Sequence, residues 1–104
     1  MNYTYIIKCS DNTYYCGYAK NLTSRMIMHN NKKGAKYTRG RTPIELLYYE
    51  VFATKGEALS REHFFKKMTR EQKEQYVVEN INNEKQQEIA QINEKLRSLE
   101  KKEK

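Results

Sequence analysis

Glu62 stands where a carboxylate rarely belongs. On a 3.6-residue wheel the helical segment that starts at Thr54 turns Ala58, Leu59, Phe65 and Met68 toward the core, and Glu62 falls among them. An unpaired carboxylate on such a face is costly, so it calls for a cation, a bound metal or a hydrogen-bonded partner. A salt bridge to Arg61 or Arg25 would meet that need without any chemistry. Arg25 and His29 are four residues apart and share a face of another helical segment, beside the inward stripe of Leu22 and Met26. Each alone has an ordinary reading, a surface cation and a helix-end histidine. Together with Glu62 they offer a phosphate clamp, a hydrogen-bonding shuttle and a metal-binding oxygen, the set that phosphoryl chemistry requires.

The charge around them fits an anionic partner. Residues 20–41 hold Lys20, Arg25, Lys32, Lys33, Lys36, Arg39 and Arg41 with no acid, in a chain of net charge +7. Such a run is often only a solvated loop. Here Gly34, Tyr37, Thr38 and Gly40 interleave with the cations, so backbone N–H groups, a hydroxyl and an aromatic face can meet phosphate and base together. We therefore expect nucleic-acid contact from Lys20, Lys32, Lys33, Lys36, Tyr37, Thr38, Arg39 and Arg41. Nucleic acid is favoured over a membrane surface, because no basic helix carries the bulky apolar face of an interfacial anchor. The N-terminal segment adds Tyr3, Tyr5, Tyr14, Tyr15 and Tyr18, more phenols than a plain strand needs; Tyr3, Tyr14 and Tyr18 are expected simply to pack.

These residues need elements to hold them. Tyr3–Cys9 and Tyr14–Ala19 are aromatic and β-branched runs around the turn-forming Ser10-Asp11-Asn12-Thr13, a β-hairpin. Its register is open: a two-residue loop, Asp11-Asn12, sends Tyr5 and Tyr15 to opposite faces, and a three-residue loop, Asp11 to Thr13, puts them on one face. Asn21 caps a helix that runs to Asn30-Asn31, and Pro43 opens a third strand from Ile44 to Phe52. Thr54-Lys55-Gly56-Glu57 and Thr69-Arg70-Glu71-Gln72 are capping boxes that start two more helices. The order is β-β-α-β-α-α, an α+β chain.

From Asn82 the sequence turns to Glu, Lys, Gln and Asn, with Ile89, Ile92, Leu96 and Leu99 at spacings of 3, 4 and 3. That pattern suits either a solvated, frayed extension of the third helix or a weak dimerisation seam. The functional domain is accordingly expected at 1–80, with 81–104 as a charged helical tail on a monomer or weak homodimer. With 104 residues, 12.5 kDa and 38% hydrophobic content, one small core is all the chain can bury. Cys9 and Cys16 are too few for a disulfide framework or a zinc cage, and no signal or membrane-spanning run is present, which points to the cytoplasm.

Tyr3-Thr4-Tyr5, Tyr15-Cys16-Gly17, Asn21-Leu22-Thr23-Ser24-Arg25 with His29, Gly34-Ala35-Lys36-Tyr37-Thr38-Arg39-Gly40 and Glu57-Ala58-Leu59-Ser60-Arg61-Glu62 occur in the order of the GIY-YIG nuclease domain. The chain resembles the small stand-alone bacterial members of that superfamily. Tyr3 and Thr4 replace the first signature's Gly and Ile, and Cys16 the second's Ile. The resemblance implies a three-stranded antiparallel sheet flanked by helices, and a metal-dependent endonuclease acting on DNA, duplex, branched or damaged, with one Mg²⁺ or Mn²⁺ ion. By position, Tyr5 would help activate the attacking water, Tyr15 would support the same centre, Arg25 would hold the scissile phosphate, His29 would assist proton traffic and Glu62 would bind the metal. The alternative is a non-catalytic nucleic-acid-binding module with the same fold.

Overall fold

The computed structural model describes residues 1–102. The chain runs β1 (Asn2–Lys8), β2 (Tyr14–Ala19), α1 (Leu22–Asn30), a short 3₁₀ turn (Lys36–Thr38), β3 (Glu45–Phe52), α2 (Lys55–Lys66), α3 (Arg70–Asn80) and α4 (Asn83–Lys102). The strands form one antiparallel sheet in the order β2-β1-β3, so the first strand is the central one. Thr4, Tyr5, Ile6 and Ile7 are all buried, which requires helices on both faces. Tyr5 and Ile7 pack with Leu22 and Met26 of α1, Leu46 and Tyr49 of β3, and Ile89 and Leu96 of α4. Ile6 packs on the other face with Cys16, Tyr48 and Phe65, against Tyr76 and Val77 of α3.

The hairpin register follows from its turn. Tyr5 pairs with Gly17 and Ile7 with Tyr15, so Tyr5 and Tyr15 share a face. The loop is the odd one, three residues long, but it is Ser10 to Asn12, one position earlier than Asp11 to Thr13: Cys9 N donates to Thr13 O at 2.8 Å, and Asn12 N to Cys9 O at 3.0 Å. Asn12 takes a left-handed φ of 67°, which asparagine tolerates better than most residues, and Asp11 Oδ1 accepts from Thr13 N and Oγ1 at 3.2 and 2.6 Å.

The helix ends follow the sequence signals. Asn21 Oδ1 accepts from Ser24 N at 3.0 Å, and both capping boxes are complete. At the C-terminus of α1, Lys32 N donates to His29 O at 3.1 Å and Lys33 N to Met28 O at 2.9 Å, with Lys32 at a φ of 62°. This Schellman closure turns the basic segment back over the helix end.

Two expectations are corrected. Leu59 is 42% exposed, because the inner line of α2 runs through Ala58 and Phe65 and leaves Leu59 on the solvent side. The C-terminal segment is a separate helix rather than a frayed extension of the third, since Ile81 takes an extended conformation between α3 and α4. Ile89 and Leu96 are buried in the chain's own core. Part of the alternating spacing therefore packs against β3 and α1 of the same chain. Asn93 fixes the contact: its Oδ1 accepts from Leu46 N at 2.8 Å and its Nδ2 donates to Leu46 O at 2.9 Å. One side-chain amide thus satisfies backbone groups on an edge strand that would otherwise be open to another chain.

Candidate active site

Tyr5 and His29 meet in the core. The Tyr5 hydroxyl and His29 Nε2 are 2.8 Å apart, and both residues are fully buried. Two glycines make the approach possible. A Cβ on Gly17, the cross-strand partner of Tyr5, would lie 2.6 Å from Tyr5 Cζ, and one on Gly34 would lie 2.9 Å from Cε1 of His29. The phenol therefore lies over a glycine on edge strand β2, and the imidazole sits against a bare backbone from the basic segment. On the far side of the ring, His29 Nδ1 is 2.8 Å from Thr38 Oγ1, which donates to Ala35 O at 2.9 Å.

Both ring systems are neutral at pH 7. Burial pushes the Tyr5 phenol up to about 12, against the opposing pull of the Arg25 guanidinium. Burial and then the Arg25 charge lower His29 to about 4, so it does not act as a charged cap on its helix end. Arg25 is half-buried, with its Nε buried and without a hydrogen-bond partner. An unpaired guanidinium N–H at that depth is uncommon.

Tyr15 closes another side. Its ring meets His29 edge-on at 5.9 Å between centroids and stacks on Tyr37 at 5.7 Å, and Arg41 covers Tyr37 at 4.1 Å. Glu62 reaches the cluster from α2. Its carboxylate is among the charges that raise the Tyr5 pKa, and its partner is Lys66, at 2.7 Å, rather than Arg61 or Arg25. Lys66 Nζ lies 5.7 Å from the centroid of Tyr15, which joins this ion pair to the aromatic column. The Glu62 side chain is 17% exposed, a rim position and not an apolar interior. Lys66 was absent from the sequence-level site, although its i, i+4 spacing from Glu62 was there to be read.

The basic segment separates into two groups. Lys20, Lys32, Lys33, Lys36 and Arg39 are exposed, and Tyr37 is partly so. Thr38 is not available to nucleic acid: it is fully buried and bound to His29. Gly34 is likewise buried against the imidazole instead of turning its backbone outward. Arg41 is tied into the fold, with Nε 2.9 Å from Asp11 Oδ2 and a second bond to Tyr37 O. These three residues assemble the site from behind because the Schellman turn folds the segment onto α1.

The chain is similar in sequence and fold to known proteins. Residues 1–75 match the GIY-YIG catalytic domain. A UPF0213 protein of Clostridium perfringens is 54% identical over 77 residues, 74% of this chain and 83% of the relative. The UPF0213 protein YazA of Bacillus subtilis is 48% identical over 81 residues, 78% of this chain and 82% of that one. The solution NMR structure of a UPF0213 protein from Bacillus halodurans superposes with a TM-score of 0.52 at 40% identity, covering 82% of this chain and 92% of that one. The domain match stops within α3, and α4 lies beyond it. With its sheet, its ordered signatures and these relatives in agreement, the chain belongs to the GIY-YIG family, whose domain is of nuclease type.

Proposed function

We propose that the protein is a metal-dependent endonuclease that hydrolyses phosphodiester bonds in DNA, duplex or branched. The observation that carries this reading is the unpaired, buried Nε of Arg25 beside the neutral Tyr5–His29 pair. A phosphate oxygen is the acceptor that a planar guanidinium at such a depth suits best. Arg25 then holds the scissile phosphate and the charge that develops on it. Tyr5 takes a proton from the attacking water while His29 receives the phenol's own, the water oxygen bonds to phosphorus as the bond to the leaving sugar oxygen breaks, and that oxygen takes its proton from solvent. Tyr15 keeps the imidazole in place from the side.

Among the described residues no group of three or more His, Cys, Asp or Glu side chains comes together, so no protein cage for a metal is formed. Glu62 fits a different kind of site. It is a single rim carboxylate with one partly exposed lysine to displace, and Mg²⁺ and Mn²⁺ are commonly held by one carboxylate, waters and a substrate phosphate. When bound, such an ion supplies charge to the phosphoryl oxygens and orients water. In this reading residues 1–80 carry the chemistry in the cytoplasm, the chain acts as a monomer, and Lys20, Lys32, Lys33, Lys36 and Arg39 grip the phosphate backbone.

The Lys66–Glu62 pair favours one competing reading, a non-catalytic nucleic-acid-binding module whose carboxylate is neutralised for good. Cleavage assays on duplex, branched and single-stranded DNA and on RNA, with Mg²⁺ and with chelator, separate the two. The nuclease reading expects metal-dependent cutting by the wild type and none by Glu62→Gln. Nucleic-acid binding without cutting under any condition overturns it.

A further inference from the structure

We propose that Thr38 is a positioning residue that holds His29 in the tautomer protonated on Nδ1, leaving Nε2 bare to receive the proton of Tyr5. The inference deepens the nuclease reading and rests on it for its catalytic meaning, but the tautomer itself follows from hydrogen-bond donors and acceptors. The Ala35 carbonyl can only accept; it takes the Thr38 N–H at 3.0 Å and lies 2.9 Å from the Thr38 hydroxyl, and we assign the hydroxyl's single hydrogen to it. Toward His29 Nδ1, 2.8 Å on the other side, Thr38 can then offer only a lone pair. On that assignment Nδ1 carries the ring hydrogen. A neutral imidazole has one such hydrogen, so Nε2 is an acceptor, and the Tyr5 hydroxyl 2.8 Å away donates to it.

The consequence lies at the phenol oxygen. With its hydrogen directed at Nε2, the fully buried Tyr5 keeps its lone pairs for a water that enters with the substrate. As that water loses a proton to the phenol oxygen, the phenol's own proton passes to Nε2, and no net charge builds up on the buried ring oxygen. The opposite tautomer would reverse the arrangement: Nε2–H would donate to the phenol, and the phenol hydrogen would point at the water it should deprotonate. The chain Tyr5, His29, Thr38, Ala35 is buried at Tyr5, His29 and Thr38, so no solvent competes for its direction.

The test reads the ring nitrogens of His29 directly, by ¹⁵N-detected imidazole NMR on the full chain, beside cleavage kinetics. Wild type and Thr38→Ser should both show a protonated Nδ1 and a bare Nε2. Thr38→Val removes the lone pair while keeping the shape, so the proton should move to Nε2 in a substantial fraction of molecules. Its kcat should fall by roughly 10²-fold, the lower range for general acid–base catalysis, with KM nearly unchanged, and Thr38→Ser should restore it. Amide spectra establish that each variant is folded, and the wild-type tautomer stands as a measurement that needs no variant. Protonation on Nε2 in the wild type overturns the proposal, as does a Thr38→Val protein that keeps both the Nδ1–H tautomer and wild-type kcat. A wild type that cuts no nucleic acid but carries Nδ1–H, and loses it in Thr38→Val, overturns the nuclease reading and supports the assignment.

Discussion

The two faces of the sheet each hold tyrosines hydrogen-bonded to an ionisable partner beside an arginine, and they differ in how completely those groups are paired. On the face toward α2 and α3, Glu50 Oε2 accepts from Tyr48 at 2.7 Å and from Tyr76 at 2.5 Å. Arg61 then lies 3.4 Å from Glu50 Oε1 and donates to the Tyr76 hydroxyl at 3.0 Å. Burial raises the Tyr48 and Tyr76 pKa values, and the Glu50 carboxylate raises them further. On the face toward α1, Tyr5 meets a neutral histidine instead, and the Nε of Arg25 has no partner. The same kinds of side chain make a closed network on one face and an incomplete one on the other. A closed network stabilises the fold; the incomplete one retains capacity for a ligand.

The sharpest way to break that comparison is to neutralise one carboxylate on each side. Glu62→Gln should remove cleavage, by about 10³-fold or more given the several kcal/mol a metal supplies, and leave the melting temperature nearly unchanged because Lys66 is largely solvated. Glu50→Gln should do the reverse, lowering stability by about 2–4 kcal/mol as Arg61 loses its counter-charge and one of the two acceptor oxygens becomes a donor, with activity falling only as far as the protein unfolds. Thermal melts and cleavage rates on both variants check this, and matching profiles would erase the distinction.

Acid should act on the histidine face first. His29 is held at about 4 when folded and returns to near 6.5 when the chain unfolds. The unfolded chain therefore binds more protons between those values, and stability that is complete above pH 6.5 is lost as pH falls through 4, by on the order of 3 kcal/mol. Arg25, Tyr5, Tyr15 and Thr38 are the side chains that face the ring, and none of them is a carboxylate or a second imidazole. The carboxyls of Asp11 and Glu74 are held below the usual carboxylate range, by the Thr13 and Arg70 side chains respectively, so what they contribute is lost at lower pH. Denaturant midpoints from pH 7 to 4.5 should slope for the wild type and lie flat for His29→Gln.

Arg25→Ala should lower turnover by roughly 10²-fold while DNA affinity stays within a few fold, and Arg25→Lys should rescue poorly because it lacks the planar fork. Equal losses in affinity and rate would make Arg25 an ordinary binding cation. The smallest effect belongs to the exposed lysines. Replacing Lys32, Lys33 and Lys36 with Ala should flatten the slope of log affinity against log salt by about 2 to 3, if each meets a phosphate.

The caps at Asn21, Thr54 and Thr69, the stripe of Leu22, Met26 and His29, and the third strand were legible because each depends on neighbours within four residues. The outward turn of Leu59 was not, since a wheel gives an apolar arc but not the line along which a helix touches its sheet. Within the site, the amino-acid types and order singled out Tyr5, Arg25, His29 and Glu62. Thr38 looked like a surface hydroxyl because nothing local shows that a Schellman turn folds its segment under His29.

The sequence by itself determined where the three strands and the first three helices lie, and its resemblance to the GIY-YIG domain singled out the candidate site residues. The placement of those elements rests on periodicity, capping and turn propensity, which act over a few residues. The tertiary structure alone decided the odd hairpin loop that lays Tyr5 over Gly17, the choice of Lys66 as partner of Glu62, the bond that turns His29 toward Tyr5, and the return of α4 onto β3 through Asn93. Each of these joins surfaces whose fit depends on the packing of the whole chain, and several arrangements satisfy the same local pattern until the core closes and selects one.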